Sequence, residues 1–179
     1  MKFLKRTLLV LAILTFILAI AGLFMTEDFA VKREIVINKS NKEVFAYIKL
    51  LKNQTNFGTW FRKDLKMKKT YTGTDGTVGF IYAWDSKVEG VGTGEQEITK
   101  IVEGKRMEFD LRFKKPMEAD NLAYMTTVPV SENKTKITWG FTGKMNYPMN
   151  IFLPIINMDK MVGKDFQEGL ENLKVILEK

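Results

Sequence analysis

The longest apolar run of the chain is continuous and lies near its N-terminus. Residues 8–24 are almost wholly aliphatic or aromatic, with only Thr15 and Gly22 as soft interruptions, and three basic residues precede them within positions 2–6. As a helix this run is about 26 Å long, close to the roughly 30 Å of a bilayer core. It has no polar stripe, which an interior helix of a soluble fold would show. We therefore predict that residues 7–25 span a membrane.

Two interpretations of residues 1–30 stay open. One is a retained membrane anchor, and the other is a cleaved secretory signal with Ala19-Ile20-Ala21 as its small-x-small site. The basic residues at the N-terminal flank favour a cytoplasmic N-terminus, by the positive-inside rule. Residues 31–179 would then form a separate domain on the extracytoplasmic side of the membrane, periplasmic or secreted.

After residue 30 the hydrophobic pattern becomes periodic. Residues 31–38 alternate between apolar and polar positions, which is typical of a strand. Ser40 and Glu43 match a capping box, so an amphipathic helix is predicted from there to about Leu51. Residues 57–61 indicate a second, short helical turn.

From residue 65 to residue 141 the period is two. Turn-forming clusters at 73–76, 103–105 and 131–134 divide this region into consecutive strands. The clearest alternation is at residues 106–113, where apolar and charged residues alternate, as in a strand with one buried face. The region is predicted to be a run of antiparallel hairpins.

The last segment returns to helical spacing. Five apolar residues lie on one face of a long helix that is predicted to start or bend near Pro154: Val162, Phe166, Leu170, Leu173 and Leu177. A helix of this length must bury that face against the sheet. The predicted fold class is α+β, with a curved antiparallel sheet of about six to seven strands wrapped around a long C-terminal helix, plus one N-terminal transmembrane helix.

Composition removes several kinds of chemistry. The 179 residues include no cysteine and no histidine, so disulfides, thiol nucleophiles, Cys/His zinc sites and histidine acid–base catalysis are excluded. No metal and no cofactor are expected. The glycines at 90, 92 and 94 are not followed by Lys-Ser/Thr and do not form a phosphate loop. The acidic residues on either side of these glycines (Asp85, Glu89, Glu95 and Glu97) are interpreted as solvated charges on strand faces.

The formal net charge is +7, and its densest cluster is Lys63, Lys66, Lys68 and Lys69. We interpret this cluster as a solvated face, with a patch for lipid headgroups or an acidic ligand as the alternative. The other basic residues are scattered, and the sequence carries no nucleic-acid-binding motif. No nucleic-acid partner is expected.

The order of elements resembles the START-like superfamily, also called SRPBCC, and in particular its polyketide cyclase/dehydrase type. The resemblance covers residues 31–179 and is carried by VKREIVINKSNKEVFAYI (31–48), NFGTWF (56–61), GTGEQEITKIVEGKRMEFDLRF (92–113), KITWGFTG (136–143) and KDFQEGLENLK (164–174). It implies a helix-grip fold with a cavity for an apolar ligand between sheet and helix. The superfamily has no shared catalytic residue, so none is assigned.

Eleven inward-facing residues are candidates for the wall of such a cavity, with a simple packed core as the alternative: Phe80, Tyr82, Trp84, Met107, Phe109, Leu111, Tyr124, Trp139, Phe141, Phe152 and Met158. The favoured function is a membrane-tethered binding module for a hydrophobic small molecule or lipid. One alternative is a cyclase- or dehydratase-type enzyme that uses Tyr82, Tyr124 or a carboxylate for proton transfer. The other is an anchored interaction domain with no ligand.

Overall fold

The computed structural model describes residues 2–179 and consists of one antiparallel sheet, one long helix packed on it, and one helix that projects away from it. The strands are β1 (Asp28–Ile37), β2 (Lys68–Thr72), β3 (Ile81–Asp85), β4 (Thr93–Val102), β5 (Arg106–Lys115), β6 (Ala119–Ser131) and β7 (Lys134–Lys144). The helices are α1 (Lys2–Gly22), α2 (Asn41–Lys49), α3 (Gln54–Phe57), α4 (Thr59–Lys63) and α5 (Met158–Leu177), with short 3₁₀ turns at Leu51–Asn53 and Met149–Phe152.

All seven strands pair antiparallel in the order β1-β7-β6-β5-β4-β3-β2. Register shifts interrupt the β4–β5 ladder between Ile98 and Lys100, and the β6–β7 ladder between Pro129 and Ser131. Such irregularities bend a sheet and increase its twist. The predicted α+β class, with a curved sheet around a C-terminal helix, is confirmed.

Helix α5 is held on the sheet by its apolar face and by polar contacts near both ends. Phe166, Leu170 and Leu173 are buried on that face. Near the start of α5, both terminal nitrogens of Arg33 donate to the Asp159 carboxylate, at 2.7 and 2.8 Å, which lowers the pKa of Asp159. Beyond its end, the Glu178 carboxylate accepts a 2.6 Å hydrogen bond from the backbone nitrogen of Asn38 in the loop after β1.

The sheet has two different ends, which we name by the helix that lies at each. The α1 end carries the start of β1 and the connections β3–β4, β5–β6 and β7–α5. The α2 end carries the end of β1 and the β4–β5 turn, where Asn41 Nδ2 of α2 donates to the Gly104 carbonyl at 2.7 Å. The capping box predicted at Ser40 and Glu43 is confirmed.

The space between sheet and helices is filled at the α2 end. Helix α2 places Val44, Phe45 and Ile48 there, and none of the three is more than 1% exposed. These side chains join a continuous cluster of buried residues from the sheet and from α5. The core is therefore solid in this half of the domain.

Helix α1 contacts the domain only at its C-terminal end. Its large apolar side chains from Phe3 to Ile20 are 42–84% exposed, whereas Gly22 is buried. It is long and apolar enough to cross a membrane, and no other helix among residues 2–179 meets that description. The long apolar N-terminal helix that the sequence predicts is therefore confirmed.

A buried amide fixes the end of α1 to the segment between β7 and α5. Asn150 is 1% exposed, and its Nδ2 donates to the carbonyls of Gly22 at 2.7 Å and Met25 at 3.3 Å. A Cβ on Gly22 would lie 2.7 Å from Ile151 Cγ2, so no larger residue fits there without movement. The backbone nitrogen of Met145 also donates to the Glu27 carbonyl at 2.8 Å. We call this set of contacts the Asn150 joint.

Candidate ligand-binding cavity

The other half of the space between sheet and α5, toward the α1 end, is hollow. A cavity of about 430 Å³ lies there, within the usual size of small-molecule sites. Its floor comes from the inner face of the sheet, and its sides come from α3, α4 and the first half of α5. The residues around it are Gln54, Trp60, Phe61, Lys63, Met67, Trp84, Gly90, Val91, Gln96, Leu111, Phe113, Ala123, Trp139, Phe141, Met161, Val162, Asp165 and Phe166.

Aromatic rings dominate this wall. All three tryptophans of the chain, Trp60, Trp84 and Trp139, line the cavity. The Trp139 ring stacks on Phe166 of α5 with centroids 4.7 Å apart, and Trp60 meets Phe166 edge to face at 5.7 Å. Stacked and edge-to-face pairs of this kind stabilise the packing of the wall beyond the burial of their area.

Two neutral amides interrupt the apolar wall. Gln54 is 2% exposed, and its Nε2 has no hydrogen-bond partner among the described residues. Gln96, on the inner face of β4, is 7% exposed. A buried N–H without an acceptor costs free energy until water or a ligand supplies one. The cavity therefore offers hydrogen-bond donors to an otherwise apolar occupant.

The charged residues of the lining lie at its opening. Lys63, in the last turn of α4, pairs with Asp165 of α5 at 3.0 Å between Nζ and Oδ2, and the Lys63 side chain is 43% exposed. Gly90 of the β3–β4 loop and Met161 near the start of α5 lie beside the opening and are exposed. The mouth therefore faces the α1 end of the domain.

The structure divides the predicted wall residues among three environments. Four of them line the cavity: Trp84, Leu111, Trp139 and Phe141. Four more belong to the solid core: Phe80, Tyr82, Met107 and Phe109, each at most 1% exposed. The remaining three, Tyr124, Phe152 and Met158, lie elsewhere.

The inward orientation expected for Tyr124 is not found. Strand β6 turns Ala123 and Met125 toward the interior, and Tyr124 therefore points to the outer face. Its ring covers Gly140, where a Cβ would lie 2.1 Å from the Tyr124 Cζ. The Arg106 guanidinium lies over the same ring, 4.3 Å from its centroid.

Phe152 and Met158 lie on the path from β7 to α5, outside the cavity lining. Phe152 ends the 3₁₀ turn and is 40% exposed. Met158 is the first residue of α5 and packs, partly buried, against the edge of the core. Residues 145–157 are thus loop and 3₁₀ turn, and α5 begins at Met158 rather than near Pro154.

The residues proposed for proton transfer are poorly placed for it. Burial raises the pKa of the Tyr82 phenol well above its ordinary value, and its hydroxyl lies 3.9 Å from the Met67 sulfur. Glu95 and Glu97 are on the outer face, where Arg112 bridges them at 2.8 and 2.7 Å. Hydrogen bonds from Lys114 and Arg112 lower the pKa of Glu95. Within residues 2–179 no cluster of acidic side chains could hold a metal ion.

Several wall residues escaped the sequence interpretation. Phe113 shares a strand face with Leu111, and Val162 and Phe166 share the apolar face of α5, so the periodic pattern already contained them. Gln54 lies in the polar run 53–56, where nothing in the pattern indicates an inward side chain.

A curved sheet that grips a helix over an apolar cavity defines a helix-grip ligand-binding domain. The model of the polyketide cyclase/dehydrase and lipid transport family matches residues 28–178. The chain belongs to that family. No curated protein sequence matches it.

Solved structures with low sequence identity share the fold. Norcoclaurine synthase from Thalictrum flavum, in complex with dopamine and hydroxybenzaldehyde, superposes with a TM-score of 0.63 at 11% identity, covering 88% of this chain and 91% of that one. The Aha1 dimer from Colwellia psychrerythraea gives 0.57 at 14% identity, over 84% and 96% of the two chains. A solution structure from Thermobifida fusca gives 0.58 at 14%, over 83% and 92%.

Proposed function

We propose that this protein is a membrane-tethered module that binds a hydrophobic small molecule or lipid in the cavity between the sheet and α5. The observation that carries the proposal is the aromatic-lined cavity of about 430 Å³, which opens at the end of the domain where α1 is attached. The family description includes lipid transport, which agrees with an apolar ligand.

The lining favours binding over acid–base chemistry. Its two ionisable residues, Lys63 and Asp165, pair with each other at the mouth. Its interior is apolar apart from the neutral amides of Gln54 and Gln96. The matching ligand is a largely hydrocarbon or aromatic molecule with an oxygen acceptor, such as a carbonyl, hydroxyl or carboxyl oxygen.

The exposed apolar surface of α1 supports tethering to a membrane. A helix of 21 residues is about 32 Å long, and its apolar side chains are open to solvent along nearly its whole length. Such a surface requires a cover, and the length matches a bilayer core. The three basic residues at positions 2–6 favour a cytoplasmic N-terminus, with the domain on the extracytoplasmic side, by the positive-inside rule.

The side of the membrane can be tested through a single cysteine, because the chain has none of its own. Val78 is 61% exposed in the connection before β3, so the variant V78C presents an accessible thiol. A membrane-impermeant maleimide added to intact cells should label the full-length V78C protein. Labelling that occurs only after the cells are lysed would contradict the extracytoplasmic placement.

Binding can be tested with the tryptophans themselves. We expect a dibromo-stearic acid to quench the emission of the full-length protein in nanodiscs of unbrominated phosphatidylcholine, because bromine quenches on contact and every tryptophan lines the cavity. The quenching should saturate, and unbrominated stearic acid should reverse it by competition. Quenching that neither saturates nor responds to competitor would report probe dissolved in the bilayer and would refute binding of this acyl chain.

A further inference from the structure

We propose that the α1 end of the domain lies against the bilayer, so that its exposed apolar side chains enter the lipid headgroup region and the cavity mouth opens onto lipid. The inference rests on the proposed tethering by α1 and adds to it an orientation and a docking surface. The partner is a bilayer that contains anionic lipid.

The first observation behind this inference is that the most exposed apolar side chains are concentrated at one end of the domain. Outside α1, seven large hydrophobic residues among positions 2–179 are more than 60% exposed. Six of them lie at the α1 end: Leu23, Phe24, Leu65, Met117, Ile155 and Met161. The seventh, Val78, lies at the α2 end. Apolar side chains concentrated at one end of a domain mark a surface that contacts another apolar phase.

We call the six residues the apolar rim. They come from segments far apart in the sequence: the link after α1, the approach to β2, the β5–β6 turn, the stretch before α5, and the first turn of α5. All six side chains are more than 60% exposed, so burial in the core does not account for their apolar character. Their common location therefore indicates a shared contact surface.

The Asn150 joint restricts where this rim can go. Only five residues, 23–27, separate α1 from β1, and the bonds from Asn150 and Met145 hold both ends of that link against the domain. With α1 in the membrane, the α1 end cannot move far from the surface, since even an extended five-residue link reaches only about 18 Å. The joint thus holds the rim at the height of the headgroups.

Basic side chains at the same end complement anionic lipid. Lys66, Lys68, Lys87 and Lys115 are exposed and form no ion pair among the described residues. Exposed acidic residues at this end number five (Asp28, Asp85, Glu89, Glu118 and Asp120), against seven exposed lysines (Lys63, Lys66, Lys68, Lys87, Lys114, Lys115 and Lys144), which leaves a small basic excess. Lysines close to a membrane surface are attracted by its negative potential. Lys66 and Lys68 of the lysine cluster, which do not line the cavity, thus have a candidate role.

This orientation has a direct chemical meaning. The mouth lies at Gly90 and Met161, and Met161 is itself a residue of the rim. A hydrocarbon ligand would then pass directly between bilayer and cavity. It would avoid transfer through bulk water, which is slow because the ligand is poorly soluble.

Single cysteines with an environment-sensitive NBD label test the docking in full-length protein. Met117 on the rim and Val78 at the opposite end are 73% and 61% exposed, so M117C and V78C form a matched pair. In nanodiscs of phosphatidylcholine and phosphatidylglycerol with nitroxide-labelled lipid, NBD at M117C should be quenched at least about threefold more strongly than at V78C. Equal quenching at the two sites would overturn the inference. I155C serves as a second rim position if M117C does not fold.

Two further readouts separate this inference from the proposals beneath it. NBD at L14C, in the middle of α1, reports whether α1 is in the bilayer at all, so quenching at L14C without quenching at M117C refutes the docking alone. Tryptophan quenching by dibromo-stearic acid reports the cavity independently of both labels. Asn150→Leu is introduced into the M117C and the L14C proteins separately. It should lower the quenching of NBD at M117C and leave the quenching at L14C unchanged. Unchanged quenching at M117C would refute the role of the joint.

Discussion

Replacing Ala123 by phenylalanine is expected to abolish saturable quenching by dibromo-stearic acid. Ala123 is 4% exposed and forms part of the cavity floor, between Phe109 of β5 and Phe141 of β7 in the paired strands. A ring added at this position enters the hollow, because the neighbouring strands close off the other directions. The space it takes is the space of the ligand, and we expect the dissociation constant to rise at least about tenfold.

The same substitution on the other face of the sheet provides the control. Ala83 of β3 is opposite Glu95 on the outer face, so Ala83→Phe adds an equal ring without reaching the cavity. Leu111→Trp fills the cavity from β5 and is the alternative if Ala123→Phe does not fold. Undiminished quenching in a folded Ala123→Phe protein would place the bound chain somewhere other than this cavity.

Shortening Leu170 to alanine is expected to destabilise the domain by about 2–5 kcal/mol. Leu170 is 0% exposed in the middle of the buried face of α5, so the lost methyl groups leave a void between helix and sheet. The measurement is urea unfolding of the full-length protein in non-ionic detergent, followed by far-UV circular dichroism. The transition midpoint should fall and its slope should stay the same.

Val175→Ala is the matched control for this loss. Val175 lies on the same helix but is 59% exposed, so its truncation should change stability by no more than about 0.5 kcal/mol. Comparable losses for the two variants would mean that α5 is not held by its buried face, and the grip of sheet on helix would be the wrong description of the fold.

Periodicity was sufficient to predict the strands and helices that bury a single face, such as β5 and α5. The alternation in residues 106–113 and the spacing of Phe166, Leu170 and Leu173 each determine which side turns inward. The capping box at Ser40 and Glu43 depends on contacts within four residues, which a sequence displays directly. These features needed no knowledge of the rest of the molecule.

Strand β6 shows where periodicity fails. Residues 122–125 are all apolar, so the pattern allows either Tyr124 or Ala123 to face inward. The choice is made by β7, because the bulky ring needs the space above Gly140. That pairing is a relation between distant residues, and the sequence of β6 alone does not contain it.

Residues of the solid core and residues of the cavity wall likewise show the same alternation in the sequence. Phe80 and Tyr82 lie on the same inner face as Trp84, yet only Trp84 borders the cavity. The difference is position along the sheet, since α2 fills the space at one end and leaves the other open. The inward Gln54 and the buried Asn150 were equally hidden, because each is defined by tertiary contacts rather than by its neighbours in the chain.

The contacts of Asn150 also determine how a soluble version of this protein should be cut. Composition suggests removing residues 1–30, but that truncation would delete the carbonyls of Gly22 and Met25, which accept from the Asn150 amide. It would also uncover Tyr147 and Ile151, which close around Gly22. Truncations that begin at Gly22 keep this packing and remove only the exposed apolar part of α1. They are therefore the better starting point for expression and crystallisation.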